Sequence, residues 1–316
     1  MDKQFLTNFI KDKSLSIGFS KVGISKVKYY EEDKKYLDNW IDKNYHAKMN
    51  WMTNNTEKRT NISNYYNESK SVISVAINYF NGNSTREDYV APFISNYASG
   101  KDYHIVIKSK LKELLEGINQ IDNTINGYYC VDTSPIMEKA WAQRSGIGWI
   151  GKHTNLITRE FGSWVFLGEL IINKELKYDN AFTDDLCGTC NLCIDECPTE
   201  AIVAPYQLDA NKCISYVTIE HKGEFEKNNL INLNDWIFGC DICQDVCPWN
   251  VKFSEMTLEK DFFDEHSIKE KDYNYWENLT EENYRKLFKN SAVKRAKYSG
   301  FKRNVLTAKE QKNNND

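Results

Sequence analysis

The sequence predicts an α+β fold that carries a small cysteine-rich module in its second half. Three observations predict it. Strand-like and helix-like segments alternate up to about residue 180. Eight of the nine cysteines then crowd between Cys187 and Cys247, among short loops. After Trp249 the chain returns to polar, helix-like sequence. These changes of character divide it into residues 1–180, 181–250 and 251–316. With 316 residues, 41% hydrophobic and 27% charged, the chain can bury a core without disulfides. No stretch approaches the roughly 20 apolar residues of a membrane-spanning helix. The N-terminus carries charges every few positions and has no apolar core of a signal peptide, so a cytoplasmic location is expected.

The elements follow in order. Residues 3–14 and 31–45 read as helices with mixed faces. Residues 71–80 (SVISVAINYF) alternate partly and are rich in β-branched side chains, which predicts a strand. Ile107, Leu111, Leu114, Leu115 and Ile118 recur at helical spacing within residues 103–118. Residues 127–131 form a short strand that ends at Asp132. Pro135 suits a first helical turn, so a helix is expected from there through Arg144, stopping at Gly146. Residues 163–172 read as a further apolar strand.

Asp132 stands at a strand end before a helix, where a carboxyl ordinarily caps. Lining an apolar pocket, it would have a raised pKa and could donate a proton. Cys130 reads as a buried strand residue. Residues 146–151 (GIGWIG) match G-x-G-x-x-G literally. A dinucleotide fingerprint needs a strand before it and a helix after it, and here the order is wrong.

The cysteines carry the strongest signal. Cys187-x2-Cys190-x2-Cys193-x3-Cys197-Pro198 is the bacterial ferredoxin spacing, in which three close thiolates hold one [4Fe–4S] cube and the fourth reaches a second. Cys240-x2-Cys243-x3-Cys247-Pro248 repeats it without the first cysteine, and Cys213 upstream substitutes. Crossing the runs gives two complete sets. Cys187, Cys190, Cys193 and Cys247 hold one cluster, and Cys197, Cys213, Cys240 and Cys243 hold the other. A pair of zinc sites would also consume eight thiolates, but structural zinc seldom uses this run. Two clusters form an electron wire. The 180 residues before them predict that the electrons go to something held by the larger domain.

The net charge of −4 hides an uneven distribution. Residues 283–309 carry nine basic side chains and no Asp or Glu, which leaves 32 basic against 45 acidic residues, −13, in the rest. A basic end on an acidic body suits a polyanionic partner. A solvated helical face is the plainer reading. The interleaved Tyr284, Phe288, Tyr298 and Phe301 fit either base stacking or the buried side of a helix.

Several segments together resemble the epoxyqueuosine reductases, a cobalamin-dependent iron–sulfur family that completes queuosine in tRNA. They are residues 97–104 (YASGKDYH), 131–135 (VDTSP), 146–155 (GIGWIGKHTN), 161–169 (FGSWVFLGE), 213–223 (CISYVTIEHKG) and 239–250 (GCDICQDVCPWN). The resemblance runs from about residue 5 to about 308. It implies a cobalamin- and substrate-binding domain over residues 1–180, related to reductive dehalogenases and the nitroreductase-like fold. A ferredoxin-like two-[4Fe–4S] module over 181–250 and a helical segment over 251–316 follow. The implied reaction removes the epoxide oxygen from epoxyqueuosine at the tRNA wobble position, with electrons passing through the clusters to cobalamin. By the same resemblance Asp132 matches the proton donor. Arg59, Asn155, Ser215, His221, Lys222 and Asp241 fall in segments around cobalamin and substrate. The family's cluster ligation agrees with the crossed sets. Many members continue into a helical-repeat domain beyond this point, so the basic 283–309 stretch is the expected tRNA contact here. The chain has no D-x-H-x-x-G segment to supply a histidine to cobalt, which agrees with the family. A monomer served by a low-potential electron donor of unidentified nature is expected. Two other readings compete: a reductive dehalogenase, normally exported with a twin-arginine signal absent here, and a dedicated iron–sulfur electron carrier. An RNA-binding protein with structural metal is a third.

Overall fold

The computed structural model describes residues 2–82, 91–226 and 230–315. Its centre is a four-stranded antiparallel sheet. The strands are β1 (Lys21–Lys26), β2 (Ser71–Asn78), β3 (Gly127–Cys130) and β4 (Val165–Ile172), ordered β1-β2-β4-β3 across the sheet. Every residue of β2 is buried, because the sheet is covered on both faces.

The period of two sorts the side chains. Ile73, Val75 and Ile77 of β2 and Leu170 and Ile172 of β4 face two helices, α1 (Lys3–Ile17) and α2 (Tyr103–Ile121). Leu6 and Ile10 of α1 and Ile107, Leu111 and Leu114 of α2 meet them, all almost fully buried. Each such side chain contributes about 1.5–3 kcal/mol by leaving water. Gly168 of β4 lets α2 lie close: a Cβ there would stand 2.7 Å from Ile107 Cγ2. On the opposite face Val72 and Ile171 pack against Trp141 of α3 (Glu138–Arg144), while Ala76 meets Ala142.

The sequence places the start of α3 at Pro135, but the helix begins at Glu138. Asp132 turns the chain first. Its φ of 53° lies in the left-handed region, which is costly for a residue with a Cβ. Thr133 N then bonds Val131 O, and Ile136 N bonds Ser134 O, so tight turns occupy the space a first helical turn would need.

Residues 146–151 do not open a helix. Trp149–Ile150 pairs antiparallel with Leu156–Ile157 as a small hairpin, and a Cβ on Gly148 would lie 2.0 Å from Ile157 O. Close backbone packing, not a phosphate, requires that glycine. Lys152 at the hairpin tip is buried, and its Nζ donates to Gly188 O at 2.7 Å, Cys190 O at 2.9 Å and Asn191 Oδ1 at 3.0 Å. The hairpin thus grips the first cysteine loop. The second run is held from β4's side: Asn250 Oδ1 accepts from Ser163 N at 2.6 Å, and its Nδ2 donates to Ser163 Oγ and Gln244 O. Without Asn250 the Ser163 N–H would be buried and unpaired, at a cost of about 1–3 kcal/mol.

A second core joins distant segments. Helix α4 (Ile214–Ile219), strand Trp236–Phe238, Phe93–Ile94 paired parallel to it, and the last helix α5 (Lys297–Asn315) surround Trp276, Tyr284, Phe288 and Phe301. Three of the aromatics of the basic stretch, Tyr284, Phe288 and Phe301, are therefore core residues, and Tyr298 packs against them. Most of its cations are paired too. Arg303, buried against the ring of Phe225, donates to His221 O, Gly223 O and Val217 O. Arg295 pairs with Glu220, Lys309 with Glu277, Arg285 with Glu281, Lys286 with Glu282 and Lys294 with Asp102. Among the described residues no helix is long and apolar enough to cross a membrane.

Candidate active site

The eight clustered cysteines fall into two neighbourhoods. Burial, then the adjacent Cys247, Cys187 and Cys190 thiols, push the Cys193 thiol up to about 11. Cys247 is raised by burial and by the same Cys187 and Cys190. On the other side burial and the nearby Cys213 and Cys197 thiols raise Cys243 well above its ordinary value, and burial with Cys243 and Cys213 raises Cys240. Crowded thiols in a dry site resist ionising alone, and a cation that gathers their charge relieves this. Short helices Leu192–Asp195 and Ile242–Asp245 carry the middle of each run, and Cys190 N bonds Cys187 O at 3.0 Å to curl the loop. Cys130 lies in β3, fully buried and away from both groups.

A cavity of about 390 Å³ opens beside the second group, a size in the range of cofactor pockets. Cys197, Cys213, Cys240 and Cys243 line it, together with Asp132 and Tyr103. Asn155, Ser215 and Asp241 also line it. Asp241 is buried and anchors the floor, accepting from Ser95 Oγ and, at 2.6 Å, from Asn96 N. Arg59, His221 and Lys222 lie outside the lining. Arg59 is half-buried, with Asp132 and Glu138 as its charged neighbours. His221 and Lys222 sit on the loop after α4. His221 packs on Phe225, and Lys222 donates to Arg295 O.

Three lining residues carry no signal of their own in the sequence. His153 is buried; its Nδ1 accepts from Asn155 N at 3.1 Å, so its Nε2 carries the hydrogen. That Nε2–H has no partner among the described residues. Burial holds the ring neutral, pushing its pKa down to about 4. Lys139 donates to Thr154 O and Asn155 Oδ1. Glu138 accepts from Asp132 N at 2.5 Å; burial, then the Asp132 charge, push its carboxyl up to about 7.

Asp132 departs from expectation. Desolvation alone would raise its pKa, but the His104 imidazole at 3.1 Å outweighs it and holds the carboxyl below the usual range. The side chain is also 57% exposed at the cavity mouth, so desolvation is incomplete. His104 is in turn bonded to Asp102 at 2.8 Å.

The chamber offers what a flat, amide-bearing macrocycle such as a corrinoid would need. It has a cavity lined by a cysteine group, a buried N–H at His153 without a partner among the described residues, and further polar side chains at Asn155 and Ser215.

Comparison with known proteins gives the same picture. A sequence model described as "Epoxyqueuosine reductase QueG" matches residues 59–133, and a "4Fe-4S double cluster binding domain" matches residues 186–250. An epoxyqueuosine reductase of Cellulophaga algicola is 45% identical over 307 residues, 96% of this chain and 98% of the relative. One of Synechocystis is 42% identical over 90% of this chain and 98% of its own length. A crystal structure of epoxyqueuosine reductase with an epoxyqueuosine-modified tRNA-Tyr stem loop superposes with a TM-score of 0.87 at 27% identity, over 96% of this chain and 80% of that one. The Bacillus subtilis enzyme, with the loop of its catalytic aspartate swung out of the active site, gives 0.86 at 25% identity, over 96% and 81%. A catabolic reductive dehalogenase shares the fold at a TM-score of 0.51 and 17% identity, over 97% of this chain and 38% of its own. The expected α+β fold with its double-cluster module is the observed one. With a near-half-identical relative matched end to end and the cysteine module in place, the chain belongs to the epoxyqueuosine reductase family.

Proposed function

We propose that this chain reduces epoxyqueuosine to queuosine at the tRNA wobble position in the cavity between Cys197, Cys213, Cys240 and Cys243 and Asp132. The one observation that carries the reading is that cavity: a group of four cysteines and the Asp132 carboxylate line the same space. The named relatives and the stem-loop complex support the reaction and the tRNA partner. Cys187, Cys190, Cys193 and Cys247 hold the outer [4Fe–4S] cluster, and Cys197, Cys213, Cys240 and Cys243 the inner one. Residues 1–180 supply most of the cobalamin and substrate chamber, 181–250 the clusters, and 251–316 the supporting helices. Bound cobalamin supplies a strongly reducing metal centre.

The chain's own residues then do three things. His153, Asn155 and Ser215 orient the macrocycle with hydrogen bonds. Asp241 braces the floor beside Cys240. Asp132 delivers a proton at the epoxide oxygen, and its left-handed turn aims the carboxyl into the mouth. Removing oxygen from an epoxide takes two electrons and two protons and releases water. The tRNA approaches where Lys222, Arg295 and Lys297 make a basic rim next to Asp132. Arg59 balances the carboxylates at Asp132 and Glu138. The protein works as a cytoplasmic monomer, reduced by a low-potential electron carrier.

The test is direct. Reduced, cobalamin-loaded protein is incubated with tRNA bearing epoxyqueuosine, and the nucleosides are analysed by mass spectrometry. Queuosine, one oxygen lighter, is expected. Unchanged epoxide with clusters kept reduced would refute the reading.

A further inference from the structure

From the side-chain geometry we infer that His104 is the proton store for the reaction, loading Asp132 before each of the two protonations of a turnover. The inference rests on the epoxide-reducing reading above. It starts from the hydrogen count. Both C–O bonds of the epoxide break, a C=C bond forms, and the oxygen leaves as water. Two electrons from the low-potential carrier and two protons balance the step. Asp132 carries at most one proton at a time, so it must be loaded once for each of the two protonations before the water departs.

The side chain placed to do this is His104, at the start of α2. Its Nε2 lies 3.1 Å from Asp132 Oδ2 and its Nδ1 2.8 Å from Asp102 Oδ1. Both ring nitrogens face carboxylate oxygens, and a carboxylate only accepts. Both nitrogens must therefore donate, which only the imidazolium can do. The resting proton sits on His104, and Asp132 is an ionised acceptor one bond away. When substrate covers the mouth and desolvates Asp132, the proton passes from Nε2 to Oδ2 and on to the epoxide oxygen.

The surroundings hold the imidazolium in place. Asp102 is buried and also accepts from Lys294 Nζ at 3.1 Å, so it stays charged. The His104 ring stacks on Tyr103 with centroids 4.2 Å apart, and Tyr103 stacks on Phe166 beneath it. From α3 Glu138 and Lys139 face Asp132, and Arg295 does so from the C-terminal turn. His104 keeps a 24% exposed edge, through which solvent restores its proton. Desolvation lowers its pKa, but the two carboxylates outweigh that and lift it to about 9. His104 acts through Asp132 and needs no contact with substrate.

The experiment compares wild type, His104→Gln and Asp102→Asn as loaded holoenzymes on the epoxyqueuosine stem loop. Asn still caps α2, so the second variant keeps the fold. Wild-type kcat is expected to be level through neutral pH and to fall as pH passes about 9. In His104→Gln the level region disappears, kcat falls about 10-fold or more at neutral pH, and stem-loop Kd stays the same. In Asp102→Asn the falling limb moves towards 6.5, the unperturbed histidine value. A second readout needs no turnover. A raised folded-state pKa stabilises the protein fully below the unfolded value of 6.5 and loses that contribution as pH rises through about 9. The Tm advantage of wild type over His104→Gln is therefore largest in acid and gone in alkali. An unchanged pH profile in His104→Gln, or a pH-independent Tm difference, would overturn the inference. Failure of wild type itself to form queuosine would instead strike the functional reading.

Discussion

Replacing Asp132 by Asn is expected to reduce queuosine formation by about 10²–10⁴-fold, the span of a lost general acid, while iron, sulfide and corrinoid contents stay at wild-type levels. The substitution keeps the shape of the side chain and its tolerance of a left-handed φ, since Asn adopts φ of 53° as readily as Asp. It removes the transferable proton and one of the two carboxylates that hold His104 charged. The pKa of His104 should fall accordingly. Asp132 bonds His104 and Glu138 rather than a clustered cysteine, so cluster content should not change. Single-turnover assays with pre-reduced protein check this, because they separate proton delivery from electron supply. Near-normal turnover would remove Asp132 from the mechanism.

The second large effect concerns the thiolates. A Cys187→Ser, Cys247→Ser double variant is expected to lose one cluster and keep the other, with about four of about eight irons per chain remaining. These two residues lie 60 positions apart, but Cys193 feels both as close neighbours. If each run instead held its own cluster, the same double variant would damage both. Iron content and the electron paramagnetic resonance of the reduced protein distinguish the two cases. Turnover should vanish either way, because the proposed wiring brings electrons in through the outer cluster.

Much of the fold is legible in the sequence, for physical reasons. Residues 71–80 and 163–172 announce themselves as strands because a sheet covered on both faces demands long apolar, β-branched runs. The cysteines announce themselves because a cube fixes the spacing of its ligands. What was hidden depends on partners distant in sequence. Asp132 looks like a helix cap until His104, 28 positions earlier, is seen against it. The pair also reverses the expected direction of its pKa shift. His104 lies in a recognisable segment, but its role shows only through Asp102 on one side and Asp132 on the other. The basic 283–309 stretch reads as an open cationic face. In the fold, Arg303 is a buried clamp on the end of α4 and the loop after it, and Arg295, Lys294 and Lys309 answer acids far away in sequence. Ion pairs between remote segments leave no periodic trace.

The proposed reaction depends on the inner cysteine group and Asp132 bounding one chamber that holds a corrinoid. The most direct measurement is the iron, sulfide and cobalt content of anaerobically loaded protein, taken on one sample. About eight irons, about eight sulfides and about one cobalt per chain are expected. The visible spectrum of the corrinoid should change when stem loop binds at the mouth. Two zincs in place of iron, or clusters intact with no cobalt retained, would contradict the account.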